Sequence, residues 1–327
     1  MIEIFLSSGI GLYSCGIWLN VLLAVVGVVL VLWGADRLTD GAVGLAERMN
    51  IPQMVIGLTI VAMGTSMPEF CVSFVSALKG TSDLAVGNVV GSNILNTMLI
   101  VGVAALIAPM DIPKPTVKKD IPFAILASAA LFLFCLDGNI SRTDSGLLLI
   151  LFVFFMAFTF HTTKGTDISK QDEKKKPMTL FRAGVWLLVG LTCLIFGSNV
   201  FVDAATKVVS SLGVSDAVIG LTIVAGGTSL PELATSVLAA RKGNSGIAIG
   251  NVLGSNVFNI LAILGITGLI SPMHIHGIGT TDLSMMLGGI VLLWLFSFTK
   301  YTIARWEGFL LSVIYIGYIG FLISGVI

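Results

Sequence analysis

One stretch of this chain is written twice. Residues 55–96 read VIGLTIVAMGTSMPEF…AVGNVVGSNILN, and residues 218–259 read VIGLTIVAGGTSLPEL…AIGNVLGSNVFN. Residues 55–97 and 218–260 align without a gap at a constant offset of 163, and 26 of the 43 pairs are identical. So close a duplication restricts the fold to two copies of one unit. Each copy interrupts an apolar run with Gly and Pro at the same place. Each places a carboxylate there, Glu69 in GTSMPE and Glu232 in GTSLPE. Acidic residues in matched, interrupted apolar segments are the pattern of an ion pathway through a membrane.

Hydrophobic residues make up 56% of the 327 and charged residues 11%, with a mean hydropathy of +1.01. These values exclude an ordinary soluble domain. The apolar runs predict an all-α membrane protein of ten transmembrane helices, at about 17–46, 54–79, 83–108, 120–137, 143–161, 181–210, 217–241, 246–271, 283–299 and 304–326. Ten spans place alternate loops on opposite sides. Of the 18 Lys and Arg, only Lys79, Arg142 and Lys207 then fall on one side, and 18 − 3 = 15 on the other. The positive-inside rule makes the basic side cytoplasmic and puts both termini outside. The first helix is expected to be retained rather than cleaved, because Glu3 replaces a basic leader and Trp33-Gly34 and Asp40 have counterparts at Phe196-Gly197 and Asp203. Residues 1–15 have no counterpart.

The chain divides into a first five-helix repeat (1–161, motif at 55–97), a polar cytoplasmic linker (162–180) and a second five-helix repeat (181–327, motif at 218–260). Five is odd, so the second copy enters the membrane from the opposite side. The duplication is an inverted repeat, and a pseudo-two-fold axis in the membrane plane brings Glu69 and Glu232 together at mid-depth.

Within each motif Pro68 or Pro231 frees the carbonyl four residues back, that of Gly64 or Gly227. Such a carbonyl needs a partner inside a membrane. Thr65, Ser66, Thr228 and Ser229 add hydroxyls one turn before each glutamate. On the third and eighth spans Ser92 and Asn96, and Ser255 and Asn259, are four residues apart and share a face. The donors are all oxygen, which suits hard cations: Ca2+, with about six to eight oxygens, and Na+. Two ionised carboxylates at mid-membrane cost several kcal/mol if left alone. Other cations or protons must hold them when the divalent ion leaves, which favours exchange over uniport.

Blander roles cover the remaining polar residues. Asp36, Asp40 and Asp203 are expected to be interfacial, and His274 and His276 loop polarity. Cys15, Cys71, Cys135 and Cys193 form no metal or disulfide pattern and are read as apolar fillers. Trp and Tyr near span ends are interface anchors. Ser66 and Ser229 have no neighbouring His or Lys base, which weighs against an intramembrane enzyme.

GTSMPE…GNVVGSN and GTSLPE…GNVLGSN resemble the two α-repeats of the sodium/calcium exchangers, and the resemblance covers nearly the whole chain. It implies an antiporter exchanging Ca2+ for Na+ in a bacterial-type inner membrane, working by alternating access as the first and sixth helices slide over a stationary core. It implies ion ligation by Glu69, Glu232, Thr65, Ser66, Thr228, Ser229, Ser92, Ser255, Asn96 and Asn259, with backbone carbonyls of Ala62 and Ala225 serving outlying Na+ positions. Neither a cofactor nor nucleic acid is expected; the lipid bilayer is the environment and a single chain the functional unit. Some relatives carry Asp where this chain has Asn259, an acid linked to K+ dependence or protonation. Its absence weighs against K+ co-transport. Ca2+/H+ exchange is the alternative reading, and a cation channel a more distant one.

Overall fold

The computed structural model describes residues 17–163, 178–211 and 225–324. Residues 1–15, most of the 162–180 linker and 218–224 of the second motif lie outside the described residues.

Helix α1 (Ile17–Met49) is followed by α2 (Gln53–Thr65) and α3 (Met67–Leu78), which meet at a 48° bend. Next come α4 (Ser82–Ile107), α5 (Ile121–Phe134), α6 (Arg142–Thr163) and α7 (Leu180–Ser211). The second half continues with α8 (Ala225–Thr228), α9 (Leu230–Arg241), α10 (Ser245–Ile270), α11 (Thr280–Ser297) and α12 (Arg305–Ser324). Among the described residues seven helices are long and apolar enough to cross a membrane, or eight if α2 and α3 form one span. The protein is therefore a multi-pass helical membrane protein. Two expected spans fall outside that number. The one expected at 120–137 is helical only over Ile121–Phe134, preceded by a wider turn at Thr116–Asp120, and the one expected at 217–241 is described only from Ala225.

The centre is formed by α4 and α10, with 72% and 83% of their apolar windows buried, against 22% for α1 and α7. On the periphery, large apolar side chains such as Leu22, Val29, Ile150, Val153, Leu188 and Ile316 are exposed. Such a surface is stable only against lipid.

The outer pair α1 and α7 is set by glycines spaced seven apart. A Cβ at Gly27, Gly34 or Gly41 would strike the backbone of Gly197, Gly190 or Ala183 at 2.8 Å. Partner numbers fall as α1 numbers rise, so the two helices run antiparallel in close backbone contact, as small residues allow. At the centre Gly57 and Gly250 face each other, each Cβ position 3.0 Å from the other's Cα.

Two short antiparallel pairs close the loops. Strand β1 (Met110–Asp111) pairs with β4 (Thr302–Ile303), and β2 (Asn139–Ile140) with β3 (Met273–His274). The registers Met110↔Ile303 and Ile140↔Met273 convert into one another under the 163 offset. Each half lends its partner the same strand and receives the same strand back.

Candidate ion-binding site

The site is built where helices stop. Helix α2 ends at Thr65, and Ser66 (φ −82°, ψ 9°) leaves the helical conformation. Helix α3 restarts with Pro68 in its first turn, where a missing N–H costs nothing. Ser229 (φ −90°, ψ 7°) and Pro231 repeat the break before α9. Glu69 and Glu232 thus sit in the first turn of a helix, where the positive end of the peptide dipoles favours a carboxylate. Both are 1% exposed.

The halves exchange hydroxyls. Ser66 Oγ donates to Glu232 Oε1 at 2.9 Å, and Ser229 Oγ donates to Glu69 Oε1 at 2.9 Å. Ser92 Oγ lies 3.2 Å from Ser229 Oγ. Thr228 faces Glu69, Thr65 and Ser255 face Glu232, and the two carboxylates are close enough to repel each other. The second oxygen of each carboxylate is buried without a hydrogen-bond partner, and so are Ser255 Oγ, Asn96 Oδ1 and Asn259 Oδ1. A buried acceptor left unpaired costs about 1–3 kcal/mol, more when charged. Five such oxygens, on Glu69, Glu232, Ser255, Asn96 and Asn259, form a donor set whose chemistry suits a hard cation. Among the described residues no cluster of three or more His, Cys, Asp or Glu exists, so these are two carboxylates in a field of neutral oxygens.

Asn96 and Asn259 lie in π-helical turns, Leu95–Ile100 and Phe258–Ile263, that match at the 163 offset. Such widened turns recur at functional sites because they release backbone groups and re-aim side chains. Ala62 lies in the turn just before the break. Its carbonyl accepts Ser66 N–H at 3.0 Å, and Thr65 Oγ1 lies 3.3 Å from it. Ala225 lies in α8, the mate of that turn.

Several bracing residues carried no individual role in the sequence. Asn88 Nδ2 donates to Glu69 O at 3.2 Å and to Ser73 Oγ at 2.9 Å; Asn251 Nδ2 donates to Glu232 O at 3.4 Å and to Ser236 Oγ at 3.0 Å. Asn251 Oδ1 also accepts from Thr65 Oγ1 at 3.1 Å. Their signal was present, since both asparagines recur in GNVxGSN. Ser198 had none. It donates to Gly227 O at 2.6 Å, the carbonyl that Pro231 sets free, yet Ala35 stands at the matching place.

The polar residues outside the site fall into place. Asp36 and Asp40 bind Lys242 Nζ at 2.6 and 2.7 Å, at the surface and away from the glutamates. His274 pairs with Asn139, and His276 N donates to Asp83 Oδ1 at 2.8 Å. Cys71, Cys135 and Cys193 are free thiols.

Interrupted helices facing each other, with two carboxylates among neutral oxygens, define a membrane protein with an oxygen-lined centre suited to hard cations. The sodium/calcium exchanger protein family matches residues 19–161 and 182–324, and the chain belongs to that family, whose members are cation/Ca2+ antiporters. A protein named as an antiporter, CaxA of Alkalimonas amylolytica, is 41% identical over 303 residues, covering 90% of this chain and 95% of its own. The sodium/calcium exchanger MaX1 of Methanosarcina acetivorans is 31% identical over 346 residues, covering 93% and 98%. The solved structure of the exchanger NCX_Mj soaked with zero Na+ and Ca2+ superposes with a TM-score of 0.83 at 31% identity, covering 94% of this chain and 100% of that one.

Proposed function

We propose that this protein exchanges Ca2+ for Na+ across the inner membrane by alternating access. The observation that carries this reading is the reciprocal pairing of Ser66 with Glu232 and Ser229 with Glu69, which leaves one free oxygen on each carboxylate. Two negative charges balance one Ca2+. Na+ competes for the same oxygens, so filling by one ion excludes the other, and that exclusion is the coupling.

The ligands are Glu69, Glu232, Thr65, Ser66, Thr228, Ser229, Ser92, Ser255, Asn96 and Asn259, with carbonyls of Ala62 and Ala225 at the flanks. The frame is ten transmembrane helices in two inverted five-helix repeats, 1–161 and 181–327, joined by a cytoplasmic linker at 162–180, with both termini outside and one chain as the working unit. Three features support the inversion: the antiparallel α1–α7 pair, the reciprocal strand pairs and the exchanged hydroxyls. Na+ as the counter-ion is supported by the names of MaX1 and of NCX_Mj, each a sodium/calcium exchanger.

The test is uptake of radiolabelled Ca2+ by Na+-loaded proteoliposomes. Glu69→Gln and Glu232→Gln each remove a charge without changing shape. Each is expected to lower uptake at least about 100-fold while the protein still inserts, since loss of a buried ion contact costs about 3 kcal/mol or more. Near-normal uptake by either variant overturns the reading. Uptake driven by a pH gradient in place of the Na+ gradient transfers the assignment to Ca2+/H+ exchange.

A further inference from the structure

Thr97 stands outside the repeated pattern, because its mate at the 163 offset is Ile260. It is 1% exposed, and its Oγ1 accepts from Asn256 Nδ2 at 2.7 Å. Asn256 Oδ1 in turn accepts from Asn96 Nδ2 at 3.2 Å. The donor end of Asn96 is thereby held by Asn256, and Asn96 Oδ1 is left buried without a partner. The other arm reaches the same result by another anchor. Asn93 Nδ2 donates to the main-chain carbonyl of Asn256 at 3.2 Å, and Asn93 Oδ1 accepts from Asn259 Nδ2 at 3.2 Å.

The anchors differ in kind. A main-chain carbonyl only accepts, so it locks the Asn93 amide and with it Asn259. A hydroxyl both donates and accepts, so the Asn256 amide keeps its direction only while Thr97 accepts.

We infer that Thr97 is a positioning residue for Asn96: through Asn256 it sets which end of the Asn96 amide faces the ion site. The inference rests on the cation-binding reading of the Glu69–Glu232 site. Without the hydroxyl, Asn256 Nδ2 is a buried donor with no acceptor, an expensive state. Turning both amides over re-pairs that donor with Asn96 Oδ1. Asn96 then presents its NH2, a donor that repels a cation. Asn259 is untouched, so the site is weakened and not destroyed.

Thr97→Val removes the hydroxyl at nearly constant shape, and its mate in the other repeat, Ile260, is an apolar β-branched residue. In proteoliposomes the apparent KM for Ca2+ is expected to rise about tenfold, the cost of one misdirected buried polar group, with the maximal rate within about twofold. Thr97→Ser is expected to restore the KM. An unchanged KM in Thr97→Val overturns the inference, as does Thr97→Ser behaving like Thr97→Val, because the hydroxyl is then not the cause. If Thr97→Val fails to insert, Thr97→Ala carries the same expectation, and a wild-type KM there overturns it. These failures remain distinct from failure of the exchange reading, which appears as uptake surviving in Glu69→Gln.

Discussion

Ser198 shows how one side chain settles a problem created elsewhere in the chain. Pro231 deprives Gly227's carbonyl of its helical donor, and Ser198 Oγ supplies one at 2.6 Å. In an interior without water, an unpaired carbonyl costs about 1–3 kcal/mol. Ser198→Ala is therefore expected to lower the melting temperature of the solubilised protein by a few degrees, while Na+-driven uptake at low temperature persists. An unchanged melting curve would show that the carbonyl finds another donor. The residues proposed as ligands were legible at this scale because each appears twice, from Glu69 and Glu232 to Asn96 and Asn259. Thr97 and Ser198 were not, since Ile260 and Ala35 occupy the matching places and repetition was the only signal available. Ala62 was legible as a position, but that its carbonyl already accepts Ser66 N–H was not.

At the scale of elements, the breaks at Ser66 and Ser229 follow directly from Gly, Pro and the absence of an N–H, and the sequence places them correctly. The π-helical turns at Leu95–Ile100 and Phe258–Ile263 do not follow from any periodicity, because one extra residue per turn barely disturbs an apolar pattern. The two-residue strands are too short to carry a pattern. The seven-residue glycine spacing on α1 was visible as letters, but its partner was not. A Cβ on Gly190 would lie 2.5 Å from Leu38 N and 2.7 Å from Gly34 O. Gly190→Val must therefore push α1 away from α7. It is expected to yield little monodisperse protein and no uptake, whereas Gly184→Ala, where a Cβ meets nothing within 4 Å, is expected to behave as wild type. Normal uptake by Gly190→Val would mean that this contact does not set the helix pair.

For the whole molecule, the near-symmetry of the repeat is broken at one end. Lys242 Nζ holds Asp36 at 2.6 Å and Asp40 at 2.7 Å, tying the end of α9 to α1. The mates at the 163 offset are Lys79, Asn199 and Asp203, and among the described residues Lys79 and Asp203 form no ion pair with each other. The molecule is fastened at the Lys242 end and not by the matching pair, Lys79 and Asp203. A partly exposed pair of this kind is worth about 1 kcal/mol, so its removal shifts a two-state balance about fivefold. In the exchange reading, Lys242→Met is expected to raise apparent Ca2+ affinity on the basic-loop face about that much and lower it on the opposite face. Affinities measured on both faces of oriented vesicles check this. Equal values for variant and wild type would remove the tie from the access equilibrium.

The sequence by itself determined that the chain lives in a membrane, that it is two copies of one unit, where the helices break and which two carboxylates stand at those breaks. Composition, the 163 offset and the chemistry of Gly and Pro act locally or by repetition, and both can be read along a line. Only the tertiary structure decided which hydroxyl meets which carboxylate, which carbonyl is capped and which end of each amide is held. Those choices pair residues far apart in the chain, by 29 positions for Ser198 and Gly227 and by 166 for Ser66 and Glu232. Such pairs are fixed by helices approaching to backbone contact in a medium with no water to satisfy a polar group left over.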